Sequence, residues 1–428
     1  MVKFSSFLSR VSTLREPSPI RYLLRSPGMF KFAGGLPNPE GFPFEKITFK
    51  LKDGTQFNIE EQDLNYAFQY SNTEGIQPLL EFIHSHQLLK HEPKYSDWDV
   101  TVTTGSQDAL SKSFEMLLNS GQGDTIIVET PCYTGALAAL TPLEPNIITT
   151  PIDANGIIPE LLEDIIKGHY AKNPTKKIKF LYCVPTGQNP SGATLTIDRK
   201  KKIYELATRY DFLILEDDPY FYLNLEVRQQ NVPLSSDVSF LSMDLDGRVL
   251  RFDSLSKVLS SGLRIGWVTG HKELVERIHL HMQTNSLHTS GLSQKTVSKL
   301  LGTVWGVKGL ENHVDLIQSL YRKQRDLFVK IIDKHLSQYV TYSVPTAGMF
   351  LWMKFNNIED SKKFIEEKTK LKRVLFVPGQ AFDPLYKPGP YARASFSIET
   401  AENMEDACIA LKECFEQEYR ERGIPLPK

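Results

Sequence analysis

The chain is short of several things, and each shortage closes off a class of protein. Only four cysteines, Cys132, Cys183, Cys408 and Cys414, are spread over 428 residues, with no Cys-x-x-Cys pair. That argues against a disulfide framework and fits a reducing compartment, so a secreted protein is not expected. No apolar run approaches the roughly 20 residues that a membrane-spanning helix needs. Neither sign of charge dominates, with 50 Lys and Arg against 51 Asp and Glu, so no broad basic field points to nucleic acid or to an acidic membrane. Internal repeats and low-complexity tracts are also lacking. What remains is ordinary globular composition, 41 % hydrophobic and 24 % charged, in a chain long enough for two to three units, or one large and one small.

The first acid of the chain is Glu16. Ahead of it, MVKFSSFLSRVSTLR carries Lys3, Arg10 and Arg15, several serines, and Phe4, Phe7, Leu8, Val11 and Leu14 at helical spacing. Two readings fit: a mitochondrial presequence, or an amphipathic helix packed on the body of the protein. A breaker-rich stretch from Ser26 to Phe44 then reads as an extended, shaped loop.

From Val100 onward short apolar runs alternate with helical segments: VTVTT (100–104), TIIVE (125–129), NIITT (146–150), KFLYCV (179–184), FLILE (212–216), VLRFDS (249–254) and IGWVTG (265–270). Such continuous runs suit strands buried on both faces of a mostly parallel sheet. With helices expected at about 107–118, 159–167 and 196–210, this predicts an α/β architecture. Residues from about 272 to 336 read as helical. VTYSV, GMFLWMKF, VLFVPG and ARASFSI, interleaved with helical stretches at 360–370 and 401–418, then predict a smaller α+β domain.

Chemistry gathers at the ends of the predicted strands. In SLSKVLSSGLRIG (254–266), Lys257 lies among Ser254, Ser256 and Arg264. A partly buried lysine favours its neutral, nucleophilic amine and is a Schiff-base candidate, while the hydroxyls and the guanidinium suit a phosphate. FLILEDDPY (212–220) puts Asp217 and Asp218 at a strand's C-terminal end, the edge where α/β sheets bind ligands. One of these acids can hold a ring nitrogen protonated and the other serves the turn before Pro219. Tyr220 offers a phenol donor. VPTGQNPSG (184–192) forms a tight loop that aims the amide of Asn189. In TTGSQ (103–107), Ser106 and Gln107 open a helix whose N–H groups can bind an anion. Each segment alone also reads as plain turn, cap or surface chemistry.

Taken together and in this order, the segments resemble the fold-type I pyridoxal-phosphate (PLP) enzymes of the aspartate aminotransferase superfamily, in particular the kynurenine/2-aminoadipate and aromatic aminotransferase branch. The similarity runs through PSPIR (17–21), AGGLPNP (33–39), QYSNTEG (69–75), TGSQDAL (104–110), ETPCYTG (129–135), PTGQNPSG (185–192), EDDPY (216–220), DSLSKVLSSGLRIGW (253–267), PTAGMFLW (345–352) and RASFS (393–397). The resemblance implies that Lys257 carries the cofactor and that Asp217 faces the pyridine nitrogen, leaving Asp218 the turn role. It also implies that Asn189 and Tyr220 donate to the ring oxygen, that Ser106, Gln107, Ser254, Ser256 and Arg264 form the phosphate cup, and that Tyr133 stacks on the ring. Tyr70 would reach the neighbouring subunit's phosphate, implying a homodimer with shared sites. Arg393 would pair with the substrate α-carboxylate, and Arg21, Gly35 and Leu36 would belong to a segment covering the substrate side chain. The expected division is 1–45 as an N-terminal helix and that covering segment, 46–310 as a large PLP-binding domain and 311–428 as the small α+β domain. Cys132 and Ser191 depart from the usual alanine and threonine without removing a catalytic group.

The implied reaction moves an amino group from an amino acid to 2-oxoglutarate in a ping-pong cycle, in the cytoplasm or the mitochondrion. A β-lyase on the same fold is the alternative. An effector-sensing regulator is disfavoured because the similarity begins at Pro17, leaving no room ahead of it for a DNA-binding domain. His84, His86 and His91, and the pair His279 and His281, read as structural rather than metal-binding. The basic runs KKIK (176–179) and RKKK (199–202) read as solvated surface.

Overall fold

The computed structural model describes residues 2–20, 32, 35–227 and 233–427. A hairpin, β1 (Lys46–Lys50) and β2 (Gln56–Glu60), precedes the main sheet. Sequence reading did not anticipate it, although Asp53-Gly54 between alternating apolar residues is a hairpin signal.

The main sheet has eight strands: β3 (Trp98–Thr103), β4 (Thr125–Thr130), β5 (Asn146–Asp153), β6 (Gly156–Ile157), β7 (Ile178–Cys183), β8 (Leu213–Asp217), β9 (Val249–Ser254) and β10 (Gly266–His271), ordered β3-β10-β9-β8-β7-β4-β5-β6. The run β9-β8-β7-β4-β5 is parallel, and β10 is antiparallel to both β9 and β3. Each strand expected in this region is present. Because side chains alternate across a strand, Leu213, Leu215, Leu250 and Phe252 enter one core, with Phe114 and Tyr182, while Ile214 and Val249 enter the other, with Ile203 and Phe212. Helix α1 (Ser106–Leu117) packs on the first face with α2 (Lys272–Asn285).

A four-stranded sheet, β11 (Val340–Tyr342), β12 (Phe350–Phe355), β13 (Val377–Pro378) and β14 (Tyr391–Ser395), is ordered β11-β12-β14-β13 and wholly antiparallel. It shares a core with the far end of α3 (Gly306–Leu336) and with α4 (Ala401–Glu421). Helix α3 runs through the expected boundary at 310/311. Its Leu310 lies in a core with the main-sheet residues Val102 and Trp267, and its Ile332 in the core of the small sheet.

Three readings of the sequence need correction. The N-terminus is not one amphipathic helix: a 3-10 turn (Phe4–Ser6) and a single helical turn (Arg10–Thr13) are separated by extended residues. Phe4 and Phe7 insert into the main core, and the Ser9 N–H donates to the Met116 carbonyl at 2.7 Å, while Val11 and Leu14 face outward. The helical spacing misled because a backbone bond to α1 captures the chain midway. The basic runs are not uniformly solvated either. Lys179 is buried and donates to the Phe7 carbonyl (3.0 Å), and Lys200 is buried and donates to the carbonyls of Ser235 (2.8 Å) and Val238 (2.6 Å). Finally, Asp218 is more than a turn residue, although its carbonyl does accept from the Phe221 N–H (3.2 Å) across the turn. It pairs at 3.0 Å with Arg251, a guanidinium wholly buried between Glu216 (3.3 Å), Asp218 and Asp253 (2.8 Å). The histidines have structural partners: His86 meets Tyr222, His91 meets Ser239 and His279 meets Thr101.

Phe7 is 0 % exposed and Val11 is 59 % exposed. Phe7→Ala is therefore expected to destabilise the fold by about 3–5 kcal/mol, and Val11→Ala by less than about 0.5 kcal/mol. Thermal and urea unfolding of the two variants beside the parent chain provide the check.

Candidate active site

Parallel strands bring their C-terminal ends to one edge of the sheet, and β10 starts at that same edge. Its first residue, Gly266, is in register with Thr103 on one side and Ser254 on the other. A Cβ at Gly266 would lie 2.7 Å from both the Asp253 carbonyl and the Ser106 nitrogen, so only glycine lets the end of β9 and the start of α1 come this close. Gly105, before α1, has φ +80°, and a Cβ there would lie 2.2 Å from Nη2 of Arg264. Helix α1 therefore opens on a glycine, without a side-chain cap. Its N-terminal N–H groups are available to an anion. Arg264 is held beside them, donating to Ser256 Oγ (3.1 Å), the Ser261 carbonyl (3.1 Å) and the Thr104 carbonyl (3.2 Å). One end of the site is thus built for a phosphate-like group.

At the other end is Asp217, the last residue of β8 and buried. Tyr182 donates to its Oδ2 at 2.8 Å, and its Oδ1 is buried with no partner among the described residues. Burial raises its pKa to about 7, against the help of the Tyr182 hydrogen bond and aided by the charge of Asp218. A buried acceptor left incomplete costs about 1–3 kcal/mol. The oxygen is ready for a cationic N–H, which would supply a bond and a charge together.

Between the two ends lies Lys257, partly buried. Desolvation lowers its pKa, the cation of Arg264 lowers it further, and Asp217 opposes both. A cavity of about 110 Å³ contains Lys257 and Asp217 with Ser106, Gln107, Tyr133, Asn189, Tyr220, Ser254, Ser256 and Arg264. The residues of the four strand-end segments read from the sequence, with Tyr133 from the resemblance, are brought to one site. Tyr133 folds back over Gly135, where a Cβ would lie 2.4 Å from its ring. The amide Oδ1 of Asn189 accepts from Nη1 of Arg393 at 2.7 Å, which turns its NH2 the other way, and that amide eases the phenol of Tyr220, whose pKa burial and Asp217 push up. Arg393, on β14, lies over the rings of Phe350 (4.1 Å) and Phe382 (5.0 Å). An amine, an acid, an anion cradle and a guanidinium on an aromatic bed suit a phosphorylated, cationic ring beside a carboxylate.

Three expected residues lie apart from the cavity. Tyr70 is 51 % exposed, its ring edge-on to His288 at 6.1 Å. Gly35 and Leu36 are exposed. Arg21 lies outside the described residues. Sequence reasoning missed Tyr182, Phe350 and Phe382, whose rings complete the surroundings of Asp217 and Arg393. A tyrosine inside a buried apolar strand was the available signal for the first, since a buried phenol needs a polar partner.

The class of protein now follows. A family model described as aminotransferase class I and II matches residues 36–411, and the chain belongs to this family of PLP-dependent aminotransferases. It is 45 % identical over 421 residues to the mitochondrial kynurenine/alpha-aminoadipate aminotransferase of Rattus norvegicus, covering 94 % of this chain and 97 % of the relative. It is 33 % identical over 432 residues to an aromatic amino acid aminotransferase of Dictyostelium discoideum, covering 97 % and 89 %. Among solved structures, the aromatic aminotransferase Aro9 of Candida albicans matches with a TM-score of 0.86 at 28 % identity, covering 98 % of each chain.

The raised pKa of Asp217 has a definite sign in stability. The folded apoprotein keeps this proton up to about pH 7, whereas the unfolded chain releases it near 3.8. The contribution is complete below about pH 4 and lost as pH rises through 7. Asp217→Asn is therefore expected to raise the melting temperature of the apoprotein at pH 8. The gap should shrink as pH falls from 7 towards 4, and cofactor retention by the variant should be lower than the parent's. Thermal scans of both apoproteins from pH 4 to 8, with a cofactor titration, test both effects.

Proposed function

We propose that this aminotransferase takes the amino group of an aromatic amino acid, kynurenine or 2-aminoadipate and delivers it to 2-oxoglutarate in a ping-pong cycle. The observation that carries the reading is the unpartnered, buried Oδ1 of Asp217 in the same cavity as a lysine whose neutral form is favoured. The residues present fit PLP. Asp217 would accept the ring N–H, and Asn189 and Tyr220 would donate to the ring oxygen. Ser106, Gln107, Ser254, Ser256 and Arg264 would hold the phosphate beside the start of α1, and Tyr133 would lie against the ring. When bound, PLP supplies an electron sink for the substrate's α-carbon.

The chain's own groups do the rest. Arg393, oriented by Asn189 and by its two aromatic neighbours, takes the α-carboxylate of either substrate in a two-pronged grip. The Nζ of Lys257, whose ammonium form burial disfavours, removes the α-proton and returns it on the other side of the proton shift. A cationic ring beside Asp217 would draw its carboxyl back towards the anion. Arg21, Gly35 and Leu36 belong to a segment that covers the substrate side chain. The exposed phenol of Tyr70, outside its own cavity, supports a homodimer in which it completes the partner's phosphate site. The division into 1–45, 46–310 and 311–428 belongs to the same reading, with α3 crossing its second boundary.

The substrate classes are those in the names of the relatives, and a Pyrococcus horikoshii kynurenine aminotransferase solved with PMP, kynurenine and kynurenic acid has a TM-score of 0.78 at 30 % identity, covering 97 % of this chain and 98 % of that one. For the compartment, the names of the rat and bovine relatives say mitochondrial. The cytoplasm is the alternative. No helix among the described residues is long and apolar enough to cross a membrane.

Purified protein with PLP and 2-oxoglutarate is expected to form glutamate from kynurenine, 2-aminoadipate or an aromatic amino acid, ranked by kcat/KM. Lys257→Ala should abolish turnover by a factor of at least about 10³, the scale of a lost covalent and proton-transfer group. Ammonia release without glutamate would instead identify a lyase.

A further inference from the structure

Asn189 is aimed at both Tyr220 and Arg393, and something must aim Asn189. Its loop is closed by its own backbone, since the Gln188 N–H donates to the Ala193 carbonyl (2.8 Å) and the Gly192 N–H to the Gln188 carbonyl (2.6 Å). Those bonds give the loop its shape and do not say where it sits. Gly187 and Gly192 pack it closely on Ala347, Gly348 and Pro345, and the Gln188 side chain fixes it against β4. The amide NH2 donates to Oε2 of Glu129 (3.2 Å) and to the Pro131 carbonyl (2.7 Å), both at the end of the neighbouring strand β4. Its carbonyl oxygen accepts from the N–H (2.9 Å) and hydroxyl (2.7 Å) of Ser191. Both amide hydrogens and both lone pairs are used. Glu129 Oε2 also takes the Val184 N–H at 3.0 Å, the first donor after β7. Glu129 and Gln188 are both buried. The Pro131 carbonyl precedes Cys132, whose N–H donates to the carbonyl of Phe382 (2.8 Å), one of the two rings beneath Arg393.

We propose that Glu129 and Gln188 are positioning residues: a buried carboxyl–amide latch at the ends of β4 and β7 that sets where Asn189 stands, and through it the substrate carboxylate site at Arg393 and the donor to the cofactor's ring oxygen. The latch rests on the assignment of Asn189 and Arg393 made above. It ties the loop carrying Asn189 to the loop carrying Tyr133, while Asn189 itself meets Arg393 of the small sheet. What the latch requires of Glu129 is an acceptor oxygen. Burial raises its pKa to about 8, so near neutral pH it is held largely as the acid, with an oxygen still able to accept.

The test uses holoenzyme and four variants. Gln188→Met keeps the volume and removes all four bonds. Glu129→Leu removes the acceptor, Glu129→Gln restores it without charge, and Lys257→Ala serves as the cofactor control. Gln188→Met and Glu129→Leu are expected to raise KM for the amino donor and for the 2-oxo acid together by about 10- to 100-fold, the range for disturbing a hydrogen bond to a charged group. Both should also move the pH titration of the bound cofactor's visible absorbance upward, because a donor to the ring oxygen is misplaced. Glu129→Gln should restore both readouts to within about twofold, a difference of about 0.4 kcal/mol. The proposal is overturned if Gln188→Met lowers only the melting temperature and leaves KM and the absorbance titration unchanged, or if Glu129→Gln is as impaired as Glu129→Leu. Should Gln188→Met fail to fold, the two Glu129 variants decide by the same readouts. A parent enzyme without cofactor absorbance lost in Lys257→Ala would instead sink the functional assignment itself.

Discussion

A bare α-carbon at Gly266 is the constraint on which the site depends. Strand β10 runs against its neighbours, so its start meets the ends of β3 and β9 at one edge, where a Cβ at Gly266 would lie 2.7 Å from the Asp253 carbonyl and the Ser106 nitrogen, so there is no room for a side chain. Because that approach is possible, the lysine segment after β9 and the helix start after β3 face the same small volume. Arg264 then fills the space that a Cβ at Gly105 would occupy. The anion cradle is made from backbone first, and the side chains decorate it.

The opposite end of the cavity is made by leaving something out. Across β8 and β9, side-chain alternation sends Glu216 and Arg251 to one face and Asp217 to the other. On the first face one guanidinium lies among three carboxylates and pairs with each, although Oδ1 of Asp218 has no hydrogen-bond partner among the described residues. On the second, Asp217 keeps an oxygen with no partner among the described residues. A fold optimised only for stability would satisfy that oxygen. Retaining it makes the site poor for an empty protein and well matched to a cationic ring, the usual exchange between stability and function at active sites.

Most of the main sheet was legible because its strands are buried on both faces and read as unbroken apolar runs, from 125–129 to 265–270. The chemistry was legible because it sits immediately after those runs. Three kinds of feature were not. The N-terminal segment has helical spacing, but a backbone bond from Ser9 to the Met116 carbonyl divides it, and hydrophobic periodicity does not register tertiary capture. Lys179 and Lys200 look like surface charge, yet backbone carbonyls solvate their ammonium groups inside the protein. Asp218 beside Pro219 looks like turn chemistry, and its partner Arg251 is more than thirty residues away on another strand. Roles set by local order survive reading from sequence. Those set by a distant partner do not, and the latch between Glu129 and Gln188 is of the second kind.

Helix α3 is a single rod of 31 residues, about 46 Å long at 1.5 Å per residue. It is fastened near its start to the core that holds Leu310 and at its far end to the core beneath β12 and β14. A lever of that length converts angle into distance: one degree of tilt at the root carries the far end about 0.8 Å. Arg393 stands on β14, between Ala392 and Ala394 of that core. Since misplacement of a reacting group by about 1 Å can cost a hundredfold in rate, the alignment of substrate with cofactor is a matter of helix angle. A substitution at the root of the rod, far from any substrate atom, changes the aim of the whole carboxylate site.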